Sequence, residues 1–196
     1  MKVFIQLVAF FILGSIQNLA VATEKGGVKS PINWASPESI KEHMIYKLAP
    51  VKGEQTFAPN VVLSDPTLAE NFSEIYLVRS ENFEVGEFFT LFVTASYTDS
   101  GWRNYSKATT SKDDVLDVST LKKTELGCES KGSCNYEEQL AISLGFLEIV
   151  DSMSTHLDLI LGNSSLDNIS SSNKRVDHIK IPGSYFLAIM RTIRAE

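Results

Sequence analysis

The chain has 196 residues, a length that suits one domain. With 43% apolar and 21% charged residues it can bury a substantial core, which excludes disorder of the whole. A formal charge of −6 provides no positive field, and that excludes nucleic acid and anionic lipid as general partners.

Behind Lys2, residues 3–16 are an apolar run interrupted by Gln6, Gly14 and Ser15, and Ala20-Val21-Ala22 supplies the small-x-small pattern of signal peptidase. A signal peptide is expected over residues 1–22, with the mature chain beginning near Thr23. Losing Lys2 leaves 17 basic against 24 acidic residues, a net charge of −7. The run is short for a membrane span, and no later stretch reaches about 18 uninterrupted apolar residues, so no span is expected after cleavage. A retained N-terminal anchor is the alternative.

Residues 23–60 read as a lead-in and a helix. Ser36 and Pro37 have the chemistry of a helix cap and first helical position, and Ile40, Met44, Ile45 and Leu48 recur at helical spacing until Pro50. An irregular stretch follows, with a short strand at 61–63. Residues 61–196 form the β domain. Residues 75–79 alternate as a strand, and 88–97 carry the strongest strand signal of the chain. There Phe89, Leu91, Val93, Ala95 and Tyr97 share one apolar face. Asp99-Ser100-Gly101 then predicts a tight hairpin, with residues 102–108 returning antiparallel beside that strand.

Residues 115–126 read as a long strand, 128–134 as a turn and 136–144 as its return. On that return Tyr136, Leu140, Ile142 and Leu144 face inward, with Glu138 as the exception among them. Residues 145–153 are ambiguous between a short helix and a crossover. Residues 156–161 alternate as a strand, 162–174 are a polar loop, and 176–181 are the last strand. Ser184 is placed to cap a final helix whose stripe is Phe186, Ile189, Met190 and Ile193. The fold class is mainly β: an antiparallel β-sandwich or curled sheet of about seven strands, with short peripheral helices at both ends.

Cys128 and Cys134, the two cysteines of an exported chain, are expected to form a disulfide. Closing so short a loop contributes about 2 kcal/mol in the chain-entropy picture, so the bridge pins a hairpin tip and does not hold the fold together. His156 and Asp158 share the outer face of one strand with His178 on the next, which makes them candidate metal ligands. The competing reading is a solvated face carrying an Asp158–Lys180 cross-strand pair. Tyr97, Trp102 and Tyr105 are candidates for lining a sugar or peptide groove, or else they pack the hairpin. No nucleophile elbow, phosphate loop or zinc-hydrolase pattern occurs, and no catalytic residue or cofactor is expected. Four Asn-x-Ser sequons lie at Asn71, Asn104, Asn163 and Asn168.

Gly101-Trp102-Arg103-x-Tyr105, the cysteine-tipped hairpin and Ile179-Lys180-Ile181-Pro182-x-x-Tyr185-Phe186 together resemble a pattern in uncharacterised exported proteins of Gram-negative bacteria. The likeness covers residues 87–194 and implies a periplasmic location, with no activity to carry over. The expected function is a non-catalytic periplasmic binding or envelope-accessory protein with a protein or glycan ligand. The alternatives are a secreted inhibitor or effector using the disulfide-pinned loop, or a metal-assisted hydrolase at His156, Asp158 and His178.

Overall fold

The computed structural model describes residues 30–49, 53–82, 86–128, 132–163 and 176–192. The expected leader over 1–22, Asn168 and Ile193 lie outside the described residues. The described residues from Ile32 onward belong to one compact unit.

Among the described residues the architecture is mainly β, with nine strands in one antiparallel sheet that does not close. In chain order the strands are β1 (Ile45–Ala49), β2 (Gly53–Phe57), β3 (Phe72–Asn82), β4 (Gly86–Asp99), β5 (Lys107–Thr110), β6 (Val115–Cys128), β7 (Cys134–Leu144), β8 (His156–Gly162) and β9 (Asp177–Pro182). Three α-helices join them: α1 (Pro37–Lys41), α2 (Phe146–Met153) and α3 (Gly183–Met190). The spatial order is β1-β2-β3-β4-β7-β6-β5-β8-β9.

The sheet curls at β6. Its first residues, Val115, Leu116 and Asp117, pair with β5, whereas Val118–Cys128 pairs with β7. One strand therefore serves both halves and turns their inner faces toward a shared core. Helix α3 fills that core with Tyr185, Phe186, Ala188 and Ile189, all buried against residues such as Leu77, Leu91, Ile142, Leu159 and Ile181. The Tyr185 hydroxyl ties the helix to the sheet. It accepts from the Leu77 amide at 3.0 Å and donates to the Pro59 carbonyl at 2.8 Å, at the point where the chain leaves β2.

Several expectations are corrected. The first helix stops at Lys41, with Ser36 Oγ accepting from the Ser39 amide as its cap. Ile45 and Leu48 belong to β1, not to the helix, because the antiparallel pairing from Ala49↔Gly53 to Ile45↔Phe57 captures this segment. Val61–Ser64 is a 3-10 turn capped by Asn60 rather than a strand. Residues 145–153 resolve as α2, and α3 begins behind Pro182 without a side-chain cap, because Ser184 Oγ donates instead to the Trp34 carbonyl.

The largest correction concerns the hairpin expected after Gly101. The inner face of β4 is as expected, with Phe89, Leu91, Val93, Ala95 and Tyr97 all buried. Its neighbours, however, are β3 and β7, paired along its length from Arg79↔Phe89 to Asp99↔Cys134. Trp102–Ser106 is not a strand beside β4; it carries the chain across to β5, in the other half of the sheet. With both sides of β4 occupied, the turn had no edge to return along.

Candidate functional site

The crossing segment is where the polar groups of the interior collect. Tyr97 ends the buried face of β4, and its hydroxyl accepts from the Arg103 amide at 2.9 Å while donating to Glu138 Oε1. Glu138 stands on the inward face of β7 and is fully buried. The same oxygen accepts from the Asn104 amide at 2.9 Å. Its second oxygen makes no directional hydrogen bond, but Lys123 Nζ of β6 stands at an ion-pair distance of 3.4 Å. Asn104 turns with a φ of 55°, a left-handed position that asparagine tolerates, and this bend aims its amide at the carboxylate.

Arg103 organises the other side. Its Nη1 donates to Asp177 Oδ2 at 2.9 Å, to the Tyr105 hydroxyl at 3.0 Å and to Asn71 Oδ1 at 3.1 Å. Its guanidinium lies 4.2 Å from the centre of the Tyr97 ring, and Asp99 Oδ2 is 3.6 Å from its Nε. Tyr105 also donates to Asp177. Burial pushes both Tyr97 and Tyr105 far above an ordinary phenol, and the adjoining carboxylates of Glu138 and Asp177 add to the effect. Burial works against the Arg103 charge, yet the hydrogen bond to Tyr105 and the Asp177 carboxylate outweigh it and hold the guanidinium above its usual value. Both phenols keep their protons and donate them, Tyr97 to Glu138 and Tyr105 to Asp177.

The three aromatics Tyr97, Trp102 and Tyr105 come together. Tyr97 meets Tyr105 edge-on at 6.3 Å and Tyr136 at 5.8 Å, and Trp102 packs on Tyr136 at 4.5 Å. Tyr97 and Tyr105 are buried, and the half-buried Trp102 also has Lys123 Nζ 5.4 Å from its ring centre. The cluster behaves as a lock: it joins β4, β6, β7, the start of β9 and Asn71 through side chains that satisfy one another. The sequence marks Glu138 as an exception on its strand, Arg103 as part of a motif and Asn71 as a sequon, but nothing in it joins these residues to one another or to Asp177. Their meeting depends on the crossing.

The metal candidates are only partly assembled. His156 Nε2 lies 2.8 Å from Asp158 Oδ2. Asp158 faces Lys180 across the pairing, and His178 faces Ile160. His156 is opposite Pro182, so His178 stands four positions along β9, about 13 Å away at the usual rise of a strand. The disulfide Cys128–Cys134 is formed between cross-strand partners at the end of β6 and β7. Of the sequons, Asn104 is exposed, while Asn71 and Asn163 are half-buried and hydrogen-bonded to Arg103. No helix among the described residues is long and apolar enough to cross a membrane. Comparison of the chain with protein-family models, curated proteins and solved structures finds no match.

Proposed function

We propose that the chain is an exported, periplasmic, non-catalytic binding protein that engages an extended segment of another protein by strand addition at β1. The observation that carries this reading is the contrast among its open strand edges. At β9 the edge strand carries the charged Asp177 and Lys180, with His178 between them. Beyond Asp117, β6 is made irregular by two register shifts in its pairing with β7 and bears Lys122, Lys123 and Glu125. Both are features that discourage edge-to-edge pairing. In contrast β1 is regular, pairs among the described residues only with β2, and presents Ile45 at 53%, Tyr46 at 50% and Leu48 at 83% exposure around a single Lys47. Main-chain groups on its free side supply affinity and the alternating apolar side chains supply selectivity. The disulfide and the likeness to exported Gram-negative proteins support the periplasmic assignment.

A photo-crosslinking residue at Leu48, in the protein expressed in its own host, should trap one protein partner, and the same probe at Lys180 on the β9 edge should not. With the probe kept at Leu48, Ile45→Glu combined with Tyr46→Glu should abolish the adduct and leave the melting temperature nearly unchanged, because both side chains are exposed. Equal trapping at both edges, survival of the adduct in the double variant, or an adduct made only of two copies of this chain would each refute strand addition by a partner.

A further inference from the structure

At the tip of the β6–β7 hairpin, Cys128 and Cys134 are cross-strand partners and so share a face. Glu125 lies three residues before Cys128, an odd separation that in a regular strand sends two side chains to opposite faces. The register shifts between Glu125 and Gly127, however, so that Glu125 pairs with Tyr136, which lies two residues from Cys134 and on its side. Gly127 adopts a φ of 137°, a backbone state that a side chain would strain, and thereby permits this bulge. The result re-aims a carboxylate at the sulfurs. Glu125 Oε1 lies 3.3 Å from Cys128 Sγ, and one ligand atom from each of Glu125, Cys128 and Cys134 lies within 4.8 Å of the others. Among the described residues no other trio of histidine, cysteine, aspartate or glutamate side chains converges in this way. Glu125 and Cys128 are exposed and Cys134 is half-buried, so the group is open to solvent.

We propose that this tip is a redox-gated zinc site, closed to metal as the disulfide and open to Zn²⁺ as the dithiol. Two thiolates and one carboxylate are a zinc donor set, with a fourth tetrahedral position left for water. Thiolate sulfur disfavours magnesium and calcium, and the carboxylate disfavours cuprous ion. A dithiol donor supplies two electrons and two protons; its own S–S bond forms as the Cys128–Cys134 bond breaks to two thiols. Zn²⁺ then displaces both thiol protons to solvent and gains two Zn–S bonds and one Zn–O bond. Reoxidation by a disulfide acceptor reverses the exchange and releases the ion.

The test uses the full mature chain, reduced with a phosphine and desalted without oxygen, with zinc measured by competition against a chromophoric chelator. The reduced protein should bind one zinc per chain and the oxidised protein none. Added zinc should raise the melting temperature of the reduced protein, because the assembled site exists only in the folded state. Glu125→Gln should weaken zinc binding by about tenfold, the lower end of what even an outer-shell partner contributes. Cys128→Ser with Cys134→Ser should remove binding. No uptake by the reduced protein, equal uptake by the oxidised protein, or unchanged affinity in Glu125→Gln would overturn the assignment. Should reduction unfold the chain, zinc must restore its far-ultraviolet dichroism; failure to do so counts equally against the site.

Discussion

At Glu138 the alternation of a buried strand face is interrupted by a carboxylate between Tyr136 and Leu140, all three of them buried. Burying a charge is unfavourable unless it is paired and hydrogen-bonded, and here the Tyr97 hydroxyl, the Asn104 amide and Lys123 answer it. Replacing Glu138 by alanine removes the acceptor for two interior donors, each costing about 1–3 kcal/mol when left unpaired. Glu138→Ala should therefore lose roughly 2–6 kcal/mol by urea unfolding. Glu138→Gln keeps an acceptor oxygen and gives up mainly the half-exposed Lys123 pair, so its loss should be about 1 kcal/mol or less. Equal stability for wild type and the alanine variant would mean that the carboxylate is not what holds the crossing in place. Glu138 was visible in the sequence as a break in a period of two. Its partners were not, since the Asn104 amide reaches it only through a left-handed residue in an irregular segment.

Among the elements, α3 shows how closely a helix start is fitted to its surroundings. The Gly183 amide donates to the Thr155 carbonyl at 3.0 Å, directly after the last turn of α2. A Cβ at Gly183 would lie 2.7 Å from the Met153 and Ser152 carbonyl oxygens and 2.8 Å from that of Thr155. These are backbone atoms and cannot swing aside, so Gly183→Ala should destabilise by about 1–3 kcal/mol, the usual range for overpacking. A melting temperature at or above that of the wild type would show that α2 and α3 can separate without loss. The sequence ended the last strand at residue 181, but did not show the close approach that makes glycine necessary at 183. At the opposite end, Ile40, Met44, Ile45 and Leu48 satisfied a helical period, and pairing with β2 decided that the last two belong to a strand. Short apolar runs carry both periods at once, and the neighbouring strand arbitrates.

For the molecule as a whole, buried phenols link the two halves of the sheet and its helices. Burial raises Tyr97, Tyr105 and the fully enclosed Tyr185 far above the ordinary phenol value. Burial raises Tyr76 as well, with Glu74 adding to it. Below about pH 9 these phenols are protonated whether the chain is folded or not, so they leave stability independent of pH there. Above about pH 10 the unfolded phenols ionise while the folded ones keep their protons. The folded state then binds more protons, and stability falls as pH rises. Alkaline titration should show three of the six tyrosines, Tyr97, Tyr105 and Tyr185, releasing their protons only together with the loss of native dichroism. Ionisation of all six in a chain that keeps its native spectrum would contradict the interior placement of these hydroxyls.

By itself the sequence determined the antiparallel β class, the inward face of β4 and the cysteine-tipped hairpin. Each follows from local alternation, turn chemistry or short sequence separation. Only the tertiary structure decided that β4 lies between β3 and β7, that residues 102–106 cross between the halves of the sheet, and that a bulge turns Glu125 toward the cysteines. Those outcomes depend on which strand occupies a free edge and on one slipped residue in a ladder. Such long-range competition leaves no trace in the periodicity of any single segment, because each strand reads the same whichever neighbour it finally takes.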